Sequence, residues 1–90
     1  MLQTDLVRTG KRRDDQVDLY LLVEISATIH LDDVDRAADR AATLRKLDRP
    51  VMAIVAGESI DVLAEARARA RDVWQVLDGR VVAPPPSFPA

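Results

Sequence analysis

One run of eleven residues, Val17 to Ala27 (Val-Asp-Leu-Tyr-Leu-Leu-Val-Glu-Ile-Ser-Ala), constrains this chain more than any other feature. Its middle is β-prone and apolar at successive positions, so both faces of the strand it predicts call for cover. A strand of that kind sits at the centre of a sheet. The rest of the ninety residues must therefore supply neighbouring strands and at least one covering layer.

The flanking segments supply candidates for both. Leu2 to Thr9 mixes apolar and polar residues as a half-buried strand does, and Gly10 to Gln16 is a polar, turn-like stretch. Together with Val17 to Ala27 they predict a β-hairpin. The run Asp32-Asp-Val-Asp35 reads as a helix start, with Asp32 as the cap and acids where the helix dipole favours them. Val34, Ala37, Ala38, Ala41 and Leu44 form an apolar stripe at helical spacing, and Arg36, Arg40 and Arg45 lie off it. Pro50 ends that helix by Asp48 or Arg49.

Val51 to Ala56 is a short continuous apolar run, the pattern of a buried parallel strand. Gly57-Glu-Ser59 turns the chain into a second helix, Ile60 to about Arg71, with Ser59 as the expected cap and Ile60, Leu63, Ala64 and Ala70 facing inward. Arg67, Arg69 and Arg71 splay round this helix, a pattern expected of a solvated surface. Val73 to Leu77 predicts another strand, Asp78-Gly79 a tight hairpin turn, and Arg80 to Ala83 a returning edge. Pro84-Pro-Pro86 blocks helix and ladder alike. The expected fold class is α/β: a mixed sheet in the order β-β-α-β-α-β flanked by two helices, over residues 2–83, followed by a Pro-rich extended tail at 84–90.

Composition narrows the function classes. The chain has no cysteine, which excludes disulfides, thiolate catalysis and cysteine–zinc sites and fits a reducing cytoplasm. No basic segment followed by an apolar run opens the sequence, and no apolar run approaches the length of a membrane span, so no membrane partner is expected. The net charge of −2 gives no global field for non-specific capture of nucleic acid. Tyr20, Trp74 and Phe88 are its three aromatic residues, so the core rests on Val, Leu, Ile and Ala. A chain of this size buries roughly 60–65% of its unfolded surface. A partner chain, most simply a second copy in a homodimer, is expected to complete the core.

Glu24 is the residue that asks for an explanation. A carboxylate inside an apolar strand is paired, metal-bound or protonated. The plain reading is a salt bridge to Arg36 or Arg40 of the first helix. Asp5 offers another, because a hairpin brings two acids on adjacent strands together, and two hard oxygen donors are what Mg²⁺ needs. Ser26 falls on the same face as Glu24 and reads as a small polar packing residue. His30, the sole histidine, reads as a helix-entry or surface residue and not as a metal ligand. Lys11, Arg12 and Arg13 at the hairpin tip are candidate phosphate contacts, as are Arg36 and Arg40, though Asp14 and Asp15 nearly cancel the tip.

The series Asp5-Leu-Val-x-x-Gly10, Tyr20-Leu-Leu-Val-Glu-Ile-Ser26, Asp33-Val-Asp-Arg-Ala37, Val55-Ala-Gly57 and Val73-Trp-Gln-Val-Leu-Asp-Gly-Arg80 resembles the restriction-endonuclease-like superfamily, the PD-(D/E)xK nuclease fold. Within it the chain looks like the C-terminal part of an uncharacterised bacterial family with an upstream helical or coiled-coil segment. The resemblance implies a minimal restriction-endonuclease-like sheet, in which Asp5 and Glu24 hold Mg²⁺ and phosphodiester bonds of nucleic acid are the substrate. Three departures weaken that implication. Ser26 stands where the motif has its catalytic Lys, and a neutral hydroxyl does not replace an ammonium in stabilising charge. Thr4 stands where a proline usually precedes the Asp. The superfamily fold also opens with a helix and a strand ahead of the hairpin with which this sequence begins. The expected function is a degenerate nuclease-like module for binding or assembly, with a Mg²⁺-dependent nuclease and a plain homodimerisation domain as the alternatives.

Overall fold

The computed structural model describes residues 4–11, 18–48 and 50–86, with the backbone alone for the first strand. The chain forms a mixed five-stranded sheet, a small two-stranded sheet and two helices. Strand β1 (Thr4–Lys11) runs antiparallel to β2 (Asp18–Ile25). A two-residue strand, β3 (Thr28–Ile29), leads into helix α1 (Leu31–Arg45). Strand β4 (Val51–Gly57) lies parallel to β2, and a second short strand, β5 (Ser59–Ile60), pairs with β3. Helix α2 (Val62–Ala70) leads to β6 (Trp74–Leu77), parallel to β4, and β7 (Arg80–Val82) folds back antiparallel on β6. The order across the large sheet is β1-β2-β4-β6-β7.

The predicted α/β class and mixed sheet are therefore present, with two short strands that the sequence pattern did not announce. The hairpin between β6 and β7 turns on Asp78 and Gly79, both at positive φ (49° and 82°), as a two-residue hairpin loop requires. The sequence expectations for Leu2, Gln3, residues 12–17, Arg49 and residues 87–90 lie outside the described residues. Gly10 and Lys11, expected in the hairpin tip, belong to β1.

Both crossovers, β2 to β4 and β4 to β6, place their helices on one face of the sheet, as right-handed connections between successive parallel strands moving one way must. Burial alternates accordingly. Leu22, Val51, Ala53, Val55, Val73 and Leu77 point toward the helices and are buried. Their neighbours Leu21, Val23, Met52, Ile54 and Trp74 are only partly buried on the opposite face. The core is completed from above by Val34, Ala37, Ala38 and Ala41 of α1, Ala64 and Ala68 of α2, and Ile29.

Three details differ from the sequence expectation. Helix α1 is capped by His30, not Asp32, because the β3–β5 ladder carries the extended chain to Ile29. The carboxylate that serves this end is Asp33, which accepts the His30 backbone N–H at 2.9 Å. Helix α2 is capped by Asp61, not Ser59, since Ser59 and Ile60 are held in β5; Asp61 accepts the Ala64 N–H at 2.8 Å. Its inward residues are Ala64 and Ala68, whereas Leu63 and Ala70 face outward. The physical reason is its contact with α1. Small side chains permit the close approach, and the same face turns Arg67 and Arg71 onto Asp35 and Asp39. These two arginines are thus helix-to-helix ties, not a solvated surface.

Gly57 makes the strand geometry possible. A Cβ there would stand 2.2 Å from the Ser26 carbonyl oxygen, so the close passage of β4 beside the end of β2 admits no side chain. Ser26 N–H donates to Ala56 O and Glu58 N–H to Ala27 O on either side of it, both within 3.0 Å.

Candidate functional site

The site grows from the register of the sheet. Asp5 pairs with Glu24, Glu24 with Val55, Val55 with Gln75, and Gln75 with Val82. Directly paired residues share a face, so this row crosses all five strands on the helix-covered side. The hairpin thus sets Asp5 at the register position opposite Glu24, as the sequence reading required.

Glu24 is 1% exposed. Burying a carboxylate that deeply demands partners, and α1 supplies them. Arg36 Nη1 donates to Glu24 Oε1 at 3.1 Å and Arg40 Nη1 to Oε2 at 2.7 Å. Arg36 Nη1 also reaches Asp33 Oδ1 at 3.3 Å. Asp33, Arg36 and Arg40 follow one another at spacings of three and four, which lines them up on the helix face above β2. The plain reading of Glu24 from sequence, a salt bridge to Arg36 or Arg40, holds with both arginines at once. The guanidinium ends stay in touch with solvent, the side chains being 32% and 46% exposed.

Ser26 is buried on the same face, and its hydroxyl donates to the Thr28 carbonyl at 2.8 Å. That bond ties the end of β2 to the start of β3, the packing role expected from sequence. Lys11 lies at the register position opposite Asp18, six residues and about 20 Å along β1 from the Asp5–Glu24 pair. Arg12 and Arg13 lie outside the described residues.

Further ion pairs surround the site. His30 Nδ1 lies 3.0 Å from Asp61 Oδ2, joining the N-termini of the two helices. The Ala64 backbone N–H, and then His30, hold Asp61 below the usual carboxylate range. Asp35 is lowered in the same way, first by hydrogen bonding from Arg67 and then from Arg71. Arg71 is raised in turn, chiefly by its bond to Asp39.

Sequence reasoning missed Gln75. It is 1% exposed, in the same cross-sheet row as Glu24, and neither carboxamide atom has a hydrogen-bond partner among the described residues. The signal was available: a polar residue inside Val73-Trp-Gln-Val-Leu77 at the position that alternation turns inward. The Asp35–Arg67–Arg71 tie was missed as well, because its spacing of more than thirty residues leaves no local pattern.

Chemically, the arrangement is suited to holding a carboxylate still. A cation approaching Glu24 meets two guanidinium groups that occupy both oxygens and repel it. Among the described residues, no group of three or more His, Asp or Glu side chains is arranged to hold a metal ion. No described helix is long and apolar enough to cross a membrane. Compared with models of protein families, with curated proteins and with solved structures, the chain has no match in any of the three.

Proposed function

We propose that this chain is a degenerate PD-(D/E)xK-type nuclease-like domain that serves binding or assembly and does not cleave nucleic acid. The observation that carries the reading is the state of Glu24: both of its oxygens are taken by Arg36 and Arg40. A nuclease of this type needs that oxygen pair for Mg²⁺, whose bonds to oxygen are short, about 2.1 Å, and whose charge two neighbouring cations oppose. Ser26 adds to the case. Its hydroxyl is spent on a backbone carbonyl at the position where the motif carries Lys. The cysteine-free composition favours work in a reducing cytoplasm.

The register pairing of Asp5 with Glu24 favours a second reading, a Mg²⁺-dependent phosphodiesterase using those two acids. One experiment separates the two. The chain is incubated with single- and double-stranded DNA and RNA in millimolar Mg²⁺ or Mn²⁺, and its melting temperature is measured with and without metal. The expected result is no cleavage and no metal-dependent shift. Cleavage that Glu24→Gln abolishes, or a metal-induced rise in melting temperature that Glu24→Gln removes, overturns the non-catalytic reading.

A further inference from the structure

The sheet is covered on one side only by described elements, yet its strands are built for cover on both. Parallel strands with continuous apolar runs are found buried on two faces. Here α1 and α2 share one face, and the other presents Val23, Ile25, Met52, Ile54, Trp74 and Val81. Every position that β2, β4 and β6 turn to that side is apolar. Ile25 is 42% exposed at one end of the patch.

We infer that this face is an interface with a second copy of the same chain, packed sheet against sheet across a two-fold axis. The inference rests on the reading of the chain as an assembly module and names its partner. Two observations select that occupant.

Area is the first. The thirty residues of the five strands tile roughly 500 Å² at standard spacings. Two such faces together remove about 1,000 Å² from solvent, the size at which specific interfaces begin. A two-fold contact uses one self-complementary patch twice, so no second surface is needed.

The second is chemistry. The described positions of the patch on β2, β4 and β6 carry no charge, so a copy of itself buries no unpaired ion there. Sheets packed in this way align within about 30° of one another, with side chains of the two inner faces interdigitating. Trp74, the sole tryptophan, stands on the buried side of that contact and reports on it.

Sedimentation of the full chain from micromolar to sub-millimolar concentration tests the inference, read together with Trp74 emission. The expected species has twice the 10.0 kDa mass of one chain, and its tryptophan emission shifts to the red on dilution. Ile54→Lys at the centre is expected to give a monomer. To separate association from folding, Ile25→Lys at the solvent-exposed end is run beside it, with helical circular dichroism as the check on folding. It is expected to weaken association at least tenfold while the helical signal is kept. Leu63→Lys, on the outer side of α2, is expected to leave the dimer intact. A monomer at the highest concentration overturns the inference. So does a dimer that Leu63→Lys breaks and Ile25→Lys leaves alone. Monomer without nuclease activity removes the interface and leaves the non-catalytic reading standing; a dimer that cleaves nucleic acid with metal does the reverse.

Discussion

Arg40 Nη1 and Glu24 Oε2 stand 2.7 Å apart, joining the middle of α1 to the centre of the sheet. The pair is asymmetric: the acid is 1% exposed, whereas the arginine is nearly half exposed. Removing either partner therefore has a different cost. Arg36→Ala combined with Arg40→Ala leaves the carboxylate in the core without these two cations, and we expect a loss of about 3–5 kcal/mol. Glu24→Gln removes the buried charge and leaves Arg36 with Asp33 and both guanidinium groups in touch with solvent, and about 1–2 kcal/mol is expected. Urea denaturation of the variants, with the triple variant closing the cycle, measures the difference. Equal losses in the two arms would contradict the asymmetry.

Gln75 gives the opposite sign. Its carboxamide is buried with no partner among the described residues, which leaves its desolvation uncompensated by them. Gln75→Leu, similar in volume, is expected to leave stability unchanged or raise it by about 1–2 kcal/mol. A clear loss of melting temperature would mean that the carboxamide is satisfied after all.

Gly57→Ala tests the close passage of β4 past β2. The added methyl lands on the Ser26 carbonyl oxygen, which is backbone and cannot rotate away. A loss of about 2–3 kcal/mol is expected, the upper part of the range for forced overpacking. Thermal unfolding suffices to read it.

Asp35 sets an acid limb. Arg67, and behind it Arg71, hold its folded pKa below the ordinary carboxylate value. Between those two values the unfolded chain binds more protons than the folded one, so stability rises with pH through that window. The contribution is fully present above the ordinary Asp range and is lost as pH falls through the lowered folded value. Asp35→Asn is expected to flatten this part of the pH profile and to lower the neutral plateau, with the effect shrinking in high salt because the pair is about a third exposed. An unchanged acid limb in the variant would assign it to other carboxylates.

Periodicity made most of the fold legible. The apolar runs at Val17 to Ala27 and Val51 to Ala56 and the Asp78-Gly79 turn each correspond to an element in place. Glu24 was legible for a related reason: a charged residue breaks an apolar pattern wherever it occurs, and the following helix carried the arginines to answer it. The caps were misread because helix starts depend on where the preceding extended segment stops. At Ile29 and Ile60 that was decided by pairing between β3 and β5, two segments thirty-one residues apart. The inward face of α2 was misread because its leucine was given the core. The helix instead approaches α1 through Ala64 and Ala68, and a tie to Asp35 fixes its rotation. Neither choice leaves a trace in local hydrophobicity.

That attachment of α2 bears on how the molecule fluctuates. Nine residues held by two buried alanines and a pair of partly exposed arginine ties offer little resistance to local opening. Such an event leaves the hairpin of β1 and β2, and the Glu24 clamp with it, in place. It uncovers the row at Val55 and Gln75 instead, so amide protons of α2 are the first of the two helices to exchange with solvent, and the unpartnered carboxamide meets water on each opening.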